Sequence, residues 1–354
     1  MRPPTLASPP RAALAALLLV AACTPAESPS PSEAAPSETE VASPSVEPSV
    51  SGPPTSELSD VAALEIEAEV APDWPTILAD SVWVLVPDGD DPAVLRLDPE
   101  TGEEQARISL PGGSCEGIEA GFGSIWACTP DGLARIDPAT NAIVATAHYQ
   151  TPLLFGRPAV TDDAMWALSG DVAAESVVRI DPATNTVTAT YPLGHSVTWI
   201  TGGLGAVWGT ATRDGMLLRV DAATGSVSEA ATDLVAPGIV GVAADRVWVG
   251  LQWFPPADEA PESDPDLFAF DPATGTEESF DYGMRPESVS DITGTDDGVW
   301  VKAVDPFLFE VDPTTGEIVS IISSDHGSGA IRFDGPSLWM TLWRADLVYR
   351  IDDL

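Results

Sequence analysis

A tryptophan that directly follows an apolar residue recurs seven times at nearly regular spacing, and this repeat constrains the fold more than any other feature. The repeated residues are Trp83, Trp126, Trp166, Trp208, Trp248, Trp300 and Trp339. Successive tryptophans are 43, 40, 42, 40, 52 and 39 residues apart. A unit of this length cannot bury its own apolar face, so neighbouring copies must pack against one another to form a continuous core.

Each unit also contains a turn that opens with aspartate. The turns start at Asp98 (DPETG), Asp137 (DPATN), Asp181 (DPATN), Asp221 (DAATG), Asp271 (DPATG) and Asp312 (DPTTG). Aspartate favours the first position of a type I turn, and proline presets φ at the second. Glycine, or asparagine at Asn141 and Asn185, then accepts the left-handed conformation that returns the strand. A seventh aspartate, Asp352, falls at the end of the chain.

Short alternating segments flank every turn and indicate strands, as in Val178-Arg179-Ile180 before one turn and Thr186-Val187-Thr188 after it. Two further strands surround each repeated tryptophan, so a unit has four antiparallel strands, labelled A to D from the inside outward. Residues 61–354 then make seven units that average 42 residues. The prediction is an all-β, seven-bladed β-propeller of four-stranded antiparallel blades.

The two ends of the folded region are predicted to close the ring. The last unit stops after strand C, and residues 64–70 (LEIEAEV) alternate like a strand D. We therefore expect this N-terminal strand to complete the seventh blade. The alternative, an open solenoid, would leave the strand unpaired and a sheet edge exposed.

The pattern V-W-V followed by L-x-R-I-D-P-A-T-G and V-x-A-T resembles the YVTN-type bacterial propeller repeats and the related streptogramin-lyase-like propellers. The resemblance covers nearly the whole folded region and implies the fold, whereas the activity stays open because such propellers include binding proteins, scaffolds and enzymes. Streptogramin lyases open a cyclic depsipeptide ester by elimination, using a histidine base and a carboxylate-held magnesium. Their blades carry G-P-D-G-x-x-W-F-T, whereas this chain has GFGSIWA and GLGAVWG, so none of their catalytic residues can be assigned here.

The N-terminal sixty residues predict export and a lipid anchor. Residues 1–22 have a basic start, a short apolar run and small residues before Cys23, which is the layout of a secretory signal. Val-Ala-Ala-Cys resembles the bacterial lipobox, in which the cysteine receives a diacylglycerol and becomes the first residue of the mature protein. Residues 23–60 are rich in proline, serine and glutamate and predict a disordered tether. Residues 61–354 are the propeller, so the predicted location is the outer side of the plasma membrane, in the cell envelope.

The charge of the chain excludes some partners. Fifteen Lys and Arg against 55 Asp and Glu give a formal net charge of −40. A surface this acidic repels nucleic acid and anionic lipid headgroups, so the expected contact with the membrane is through the lipid at Cys23 alone. The 44% of hydrophobic residues are enough for a large core.

Binding is expected on the face formed by the D–A and B–C loops, because the A–B and C–D turns on the opposite face are nearly uniform. The expected partner there is a protein, a cell-wall polymer or a small ligand. The candidate ligand-binding residues are Trp74, Glu116, Arg157, Trp253, Arg285, Glu287 and Trp343. Trp253 lies in the long acidic loop 251–266; the alternative is that its ring folds back on its own blade.

Two histidines, His195 and His326, also fall on D–A loops and are the candidate catalytic residues if the axial mouth holds an enzyme, a lyase or hydrolase. The sequence has no Walker loop, nucleophile elbow or zinc-protease motif, so we favour a binding or scaffold module. A propeller holding a quinone cofactor is a third alternative. No cofactor and no metal site are predicted, although carboxylates such as Asp162 and Asp163 are of a type that Mg²⁺ or Ca²⁺ prefers.

Cys115 and Cys128 are predicted to form a disulfide. A two-residue turn at Gly121-Phe122 would put Ala120 opposite Gly123, and the same register puts the two cysteines opposite each other. An exported location permits the bond.

Overall fold

The computed structural model describes residues 52–68, 71–87, 91–152, 156–170, 174–251, 265–284, 289–352 and 354. These residues form seven antiparallel sheets, and the predicted seven-bladed β-propeller is confirmed. The N-terminal elements are β1 (Thr55–Glu57), α1 (Leu58–Val61) and β2 (Ala62–Glu67). Among the described residues, no helix is long and apolar enough to cross a membrane.

The remaining strands follow in chain order, four to a blade and three in the last. Blade one has β3 (Asp73–Ile77), β4 (Val82–Val86), β5 (Ala93–Leu97) and β6 (Glu104–Ser109); blade two has β7 (Ile118–Gly121), β8 (Ser124–Thr129), β9 (Gly132–Asp137) and β10 (Ala142–Ala147); blade three has β11 (Ala159–Val160), β12 (Met165–Gly170), β13 (Ala174–Asp181) and β14 (Thr186–Val197); blade four has β15 (Trp199–Gly203), β16 (Ala206–Ala211), β17 (Met216–Asp221) and β18 (Val227–Ala231); blade five has β19 (Pro237–Ala243), β20 (Arg246–Leu251), β21 (Leu267–Asp271) and β22 (Thr276–Phe280); blade six has β23 (Asp291–Gly294), β24 (Val299–Lys302), β25 (Leu308–Val311) and β26 (Ile318–Ser323); blade seven has β27 (Gly329–Asp334), β28 (Ser337–Leu342) and β29 (Leu347–Ile351).

The ring is closed in two ways. Each inner strand contacts the inner strand of the next blade, and β27 of blade seven contacts β3 of blade one. Strand β2 pairs antiparallel with β29, with Leu64 opposite Arg350 and Ile66 opposite Val348. The N-terminal strand therefore completes the seventh blade as predicted, so blade seven has no open edge at β29.

The described structure begins earlier than the boundary at residue 61 that composition indicates. Strand β1 pairs parallel with β26 and adds a fifth strand to blade six. Leu58 of α1 follows it and is buried in a core cluster with Trp300 and Ile322. The pairing of β1 with β26 and the burial of Leu58 fix this segment. The average composition of residues 23–60 is acidic and polar, so it does not reveal this contribution.

The repeated tryptophans lie on strand B and are almost fully buried. In blades one, two, four and five the indole N–H donates to a backbone oxygen five residues earlier, where strand A enters its turn. In these four blades the ring thus fills the centre of the blade and also ties strand B to the A–B turn, a contact that another large apolar residue could not make.

The C–D turns have the predicted conformation. Asn141 and Asn185 have φ of 52° and 57°, and the equivalent Gly225 and Gly275 have φ of 71° and 74°. The opening aspartate accepts hydrogen bonds from amides of its own turn, as Asp137 does from Ala139 at 2.9 Å. Such bonds favour the ionised carboxylate, and they lower the pKa of Asp312, which accepts hydrogen bonds from the amides of Thr314 and Thr315.

Candidate functional site

Three tryptophans, two from neighbouring blades and one from across the ring, meet at the end of the axis where the D–A and B–C loops lie. Trp74 comes from β3 of blade one, Trp199 from β15 of blade four and Trp343 from the B–C loop of blade seven. The ring centroids of Trp74 and Trp199 are 5.5 Å apart, and those of Trp74 and Trp343 are 6.0 Å apart. Trp74 is only 2% exposed and Trp199 only 4%. We call these three residues the tryptophan cap, because they close the channel at this face.

A network of charged side chains lies directly against the cap. The Arg157 guanidinium carbon is 4.6 Å from the centroid of the Trp74 ring. Its Nη1 is 3.3 Å from Oδ1 of Asp291, and its Nη2 is 3.5 Å from Oε2 of Glu119. Arg332 also donates to Glu119, with 2.8 Å between Nη2 and Oε2. These four residues, which we call the axial network, come from blades three, six, two and seven, so the ion pairs cross the axis.

The axial network is held by the backbone of the inner strands. Asp291 is 1% exposed and accepts hydrogen bonds from the amides of Ile292 and Ile331, at 2.9 and 2.8 Å. Glu119 accepts a hydrogen bond from Thr76 of the neighbouring blade at 3.3 Å. Each buried carboxylate therefore has several donors, which is the condition under which buried charges are tolerated.

Burial dominates the protonation of this region. Desolvation raises the pKa of both Glu119 and Asp291, and the Arg157 charge opposes that rise. Desolvation also raises the pKa of Asp73, to about 8, with further contributions from the negative charges of Glu116 and Asp291. The guanidinium groups of Arg157 and Arg332 balance the carboxylates of Glu119 and Asp291. Asp73 is a further acidic side chain, and its raised pKa keeps it protonated and therefore uncharged at neutral pH.

The structure brings several of the candidate binding residues together. Trp74, Arg157 and Trp343 are at the centre of the D–A/B–C face, and Glu116 lies close enough to Asp73 for its charge to raise the pKa of that group. The Nε1 atom of Trp343 is buried and has no hydrogen-bond partner among the described residues. Four of the predicted residues lie outside the described part of the chain: Cys23, Trp253, Arg285 and Glu287.

The two candidate catalytic histidines are not in the axial network. Nδ1 of His195, near the end of β14, is 2.8 Å from Oδ2 of Asp214 in blade four. The ring of His326 packs against Tyr349 of β29 in blade seven, with 6.1 Å between centroids. His195 lies on strand D and not on a loop, and neither recorded partner belongs to the axial network. A catalytic role for either histidine stays a prediction.

Cys115 and Cys128 form a disulfide, with 5.3 Å between their Cα atoms. The Cys115 amide donates to the Cys128 carbonyl, and the Cys128 amide donates to the Gly117 carbonyl. The intervening Glu116 has a left-handed φ of 56°, so the chain bulges between the two hydrogen bonds. The bulge brings the two cysteines together.

The strand register used to predict that disulfide is wrong. Strand β7 pairs with β8 so that Ala120 lies opposite Ile125 and not opposite Gly123. The turn has Phe122 and Gly123 at its centre, both with positive φ, and this lengthens the hairpin by two positions. The bulge at Glu116 compensates for the difference at the cysteines.

Sequence reasoning missed four residues of the site, namely Trp199, Glu119, Asp291 and Arg332. All four lie on inner strands, and the charged Glu119 and Arg332 each have an apolar residue on both sides, as Glu119 has Ile118 and Ala120. A charged residue inside an apolar strand is a usable signal, because an unpaired buried charge would be too costly. That signal identifies the positions but not the partners, which lie on other blades.

No group of three or more His, Cys, Asp or Glu side chains is arranged to hold a metal ion within the part of the chain that the structure describes. Asp163, one of the carboxylates considered for a cation, is instead 2.7 Å from Nη2 of Arg179.

Comparison with known proteins finds similarity of fold only. No protein-family model matches the chain, and no curated protein matches it. The computationally designed Ika8 protein is 13% identical with a TM-score of 0.59, over 82% of this chain and 99% of that one. The Pan2 WD40 domain of Neurospora crassa is 8% identical with a TM-score of 0.61, over 81% of this chain and 89% of that one. At these identities the likeness establishes the β-propeller architecture, a fold that commonly serves as a binding or scaffold module.

Proposed function

We propose that this protein is an exported lipoprotein whose propeller binds a macromolecular partner, a protein or a cell-wall polymer, across the D–A/B–C face. The observation that carries the proposal is the tryptophan cap, in which the buried rings of Trp74 and Trp199 support the partly exposed ring of Trp343 at the centre of that face. Tryptophan is enriched where binding energy concentrates, and such anchors lie near the middle of an interface. Trp343 is the partly exposed member of the cap.

The closed channel favours a large partner over a small axial ligand. Trp74 and Trp199 are buried, and Arg157 lies against the inner side of the cap with 8% exposure. A small molecule at this end of the axis would have to displace the rings, whereas a macromolecule can use the surface that surrounds them. The alternative of an axial enzyme resembling streptogramin lyase has less support, because His195 and His326 are held on different blades.

Site-specific photocrosslinking tests the binding face. A benzoylphenylalanine at Arg344, an exposed neighbour of Trp343, should give a discrete crosslinked product in intact cells. The same probe at Val144, which is 55% exposed on the outer strand of blade two, is the matched control and should give none. Adding Trp343→Ala should reduce the Arg344 product at least tenfold, in the range expected when an aromatic anchor worth about 2 kcal/mol is removed. No product at Arg344, or one that Trp343→Ala leaves unchanged, would overturn the proposal.

The lipid anchor rests on the position of Cys23 directly after the apolar signal segment, and on the resemblance of the repeats to YVTN-type bacterial propellers. We expect the full chain to incorporate labelled palmitate and to sediment with membranes. Cys23→Ser should abolish the label completely, because serine offers no thiol for the thioether to diacylglycerol. Cys115→Ser with Cys128→Ser is the matched control and should keep the label. Label that persists in Cys23→Ser would show that the lipid is attached at another residue.

A further inference from the structure

Side chains of one blade hold the C–D turn of the next blade through two kinds of contact. Where the left-handed turn residue is glycine, a large side chain from the preceding strand D lies against it. Ile66 lies against Gly102 in this way, Tyr191 against Gly225 and Phe280 against Gly316, and a Cβ at any of these glycines would overlap that side chain. The three large residues are equivalent, since each pairs with the residue four before the turn aspartate of its own blade.

In the second kind of contact an arginine from the preceding strand C donates to the turn, as Arg350 does to the Pro99 carbonyl of blade one. It is the contact made at both asparagine turns. Arg96 donates to the Pro138 carbonyl and to Oδ1 of Asn141, at 2.8 and 3.0 Å. Arg135 makes the same two bonds to Pro182 and Asn185. These asparagines therefore supply an acceptor as well as the left-handed conformation, and the guanidinium closes the interface between two blades.

The turn of blade five has neither kind of contact. Gly275 has no atom within 4 Å of the position of a Cβ. The residue of blade four that corresponds to Tyr191 and Phe280 is Ala231, which pairs with Leu217 and is too short to reach the turn. Arg219, the equivalent of Arg96, donates to Asp221 of its own blade at 2.9 Å and makes no bond to the turn of blade five that the structure records.

A groove lies where these contacts are missing. Its volume is about 610 Å³, and it is bounded by Leu204 and Arg219 of blade four and by Ala244, Arg246 and Pro272 of blade five. A second, smaller cavity of about 160 Å³ lies between the same two blades toward their other end, against Val249 and Phe268. Between these two openings Trp208 of blade four packs against Phe270 of blade five, with 5.7 Å between ring centroids, so the openings are confined to the surface ends of the interface.

The charge around the groove selects the sign of an occupant. Arg246 is paired with Glu278 and Arg219 with Asp221, and Asp271 and Asp245 add two further carboxylates. Four carboxylates against two guanidiniums leave the groove negative, within a chain of net charge −40. The tether, residues 23–60, has no aromatic residue and no cation, so it does not have the chemistry to fill the groove.

We propose that this groove docks a basic segment of a partner polypeptide that places an aromatic ring over Gly275, in the position that Tyr191 and Phe280 occupy at two other turns. The groove is on the A–B/C–D face, opposite the face assigned above, so this proposal does not depend on the proposed function. Electrostatic attraction to the acidic surface would speed the encounter, and the ring would supply the specific contact.

The test uses the pentapeptide Arg-Lys-Tyr-Lys-Arg, blocked at both ends, and saturation-transfer NMR with the full propeller. We expect transfer to the tyrosine ring protons. Ala231→Phe should weaken binding at least tenfold, because it supplies the missing ring from within the chain. Gly275→Asn should also weaken binding, because it gives Arg219 the acceptor that Arg96 and Arg135 have; it keeps the test valid if the first variant fails to fold. Val144→Phe, an added ring on the outer strand of blade two, is the matched control and should bind as the unmodified protein does.

Several results would overturn the proposal. These are equal binding by the two groove variants and the unmodified protein, no transfer to the tyrosine ring, and equal binding of a peptide with alanine in place of tyrosine. Tighter binding of the acidic peptide Glu-Asp-Tyr-Asp-Glu would show that the two arginines, and not the carboxylates, define the site. A dimer in sedimentation velocity that Ala231→Phe dissociates would show that a second copy of this chain is the occupant.

Discussion

Replacing Arg157 with methionine should lower the free energy of unfolding by about 3 to 5 kcal/mol, which is the usual cost of removing one partner from a buried charge network. Methionine keeps most of the volume beside Trp74 but leaves Asp291 without its guanidinium partner. Asp291 is 1% exposed and cannot recover hydration. It must then take up a proton or draw water into the axis. Urea unfolding followed by tryptophan fluorescence measures the change.

Two variants separate this effect from general damage. Arg179→Met removes a guanidinium that also lies over a tryptophan, but its partner Asp163 has a side chain that is 61% exposed. That change should cost less than about 1 kcal/mol, as surface pairs do. Adding Asp291→Asn to Arg157→Met should restore part of the lost stability, because it removes the unpaired buried charge, although the single amide oxygen keeps only one of the two backbone hydrogen bonds from Ile292 and Ile331. A cost below about 1 kcal/mol for Arg157→Met would show that the axial network does not stabilise the ring.

Replacing Asp73 with asparagine should raise stability above pH 7 and flatten its dependence on pH. Burial raises the pKa of Asp73 from its ordinary value of 3.8 to about 8. Between these two values the folded protein holds a proton that the unfolded chain has released, so stability falls as pH rises, by at most about 1.4 kcal/mol per pH unit from this group. Below about pH 4 both states are protonated and the contribution is fully present. Asparagine resembles the protonated acid and does not titrate.

Asp312 provides a control of opposite sign. Hydrogen bonds from the amides of Thr315 and Thr314 lower its pKa, so its contribution to stability is present at neutral pH and is lost as pH falls toward the lowered value. Asp312→Asn should therefore destabilise the protein at pH 7 and have less effect in acid. Urea unfolding at pH 3, pH 5 and pH 8 distinguishes the two variants, because the effect of Asp312→Asn changes below about pH 4 and that of Asp73→Asn changes above it. If Asp73→Asn has the same effect at pH 5 and pH 8, Asp73 is ionised in the folded protein and the argument from burial fails.

Much of the fold could be predicted because its determinants are local and repeat seven times. An aspartate–proline turn, a left-handed Gly or Asn and an alternating strand each act within about ten residues, and Asn141 and Asn185 adopt the predicted conformation. Closure of the ring by the segment at residues 64–70 could also be predicted, since the last unit lacks its own strand D. The sequence did not reveal that β1 and Leu58 pack on blade six, nor that a bulge at Glu116 sets the register between the two cysteines.

Only part of the candidate site could be predicted from the sequence. Loop position indicated Trp74, Arg157 and Trp343, but it also indicated His195 and His326, whose recorded partners, Asp214 and Tyr349, are outside the axial network. The sequence could not indicate that Glu119 pairs with Arg332, since the two are separated by 213 residues. The sequence also could not show that Ala231 is too short to cover Gly275. Whether a small residue leaves a turn uncovered depends on which turn it lies next to in the folded ring.

By itself, the sequence determined the number of blades, their strand order, the turn chemistry and the strand that closes the ring. These features are fixed by hydrogen bonds and steric preferences within one unit, and the same pattern occurs in all seven units. Only the tertiary structure decided which side chains meet across the axis and which blade interface stays open. Those contacts join residues from blades three apart, such as Trp74 with Trp199 and Arg157 with Asp291, and they exist only after the ring has closed.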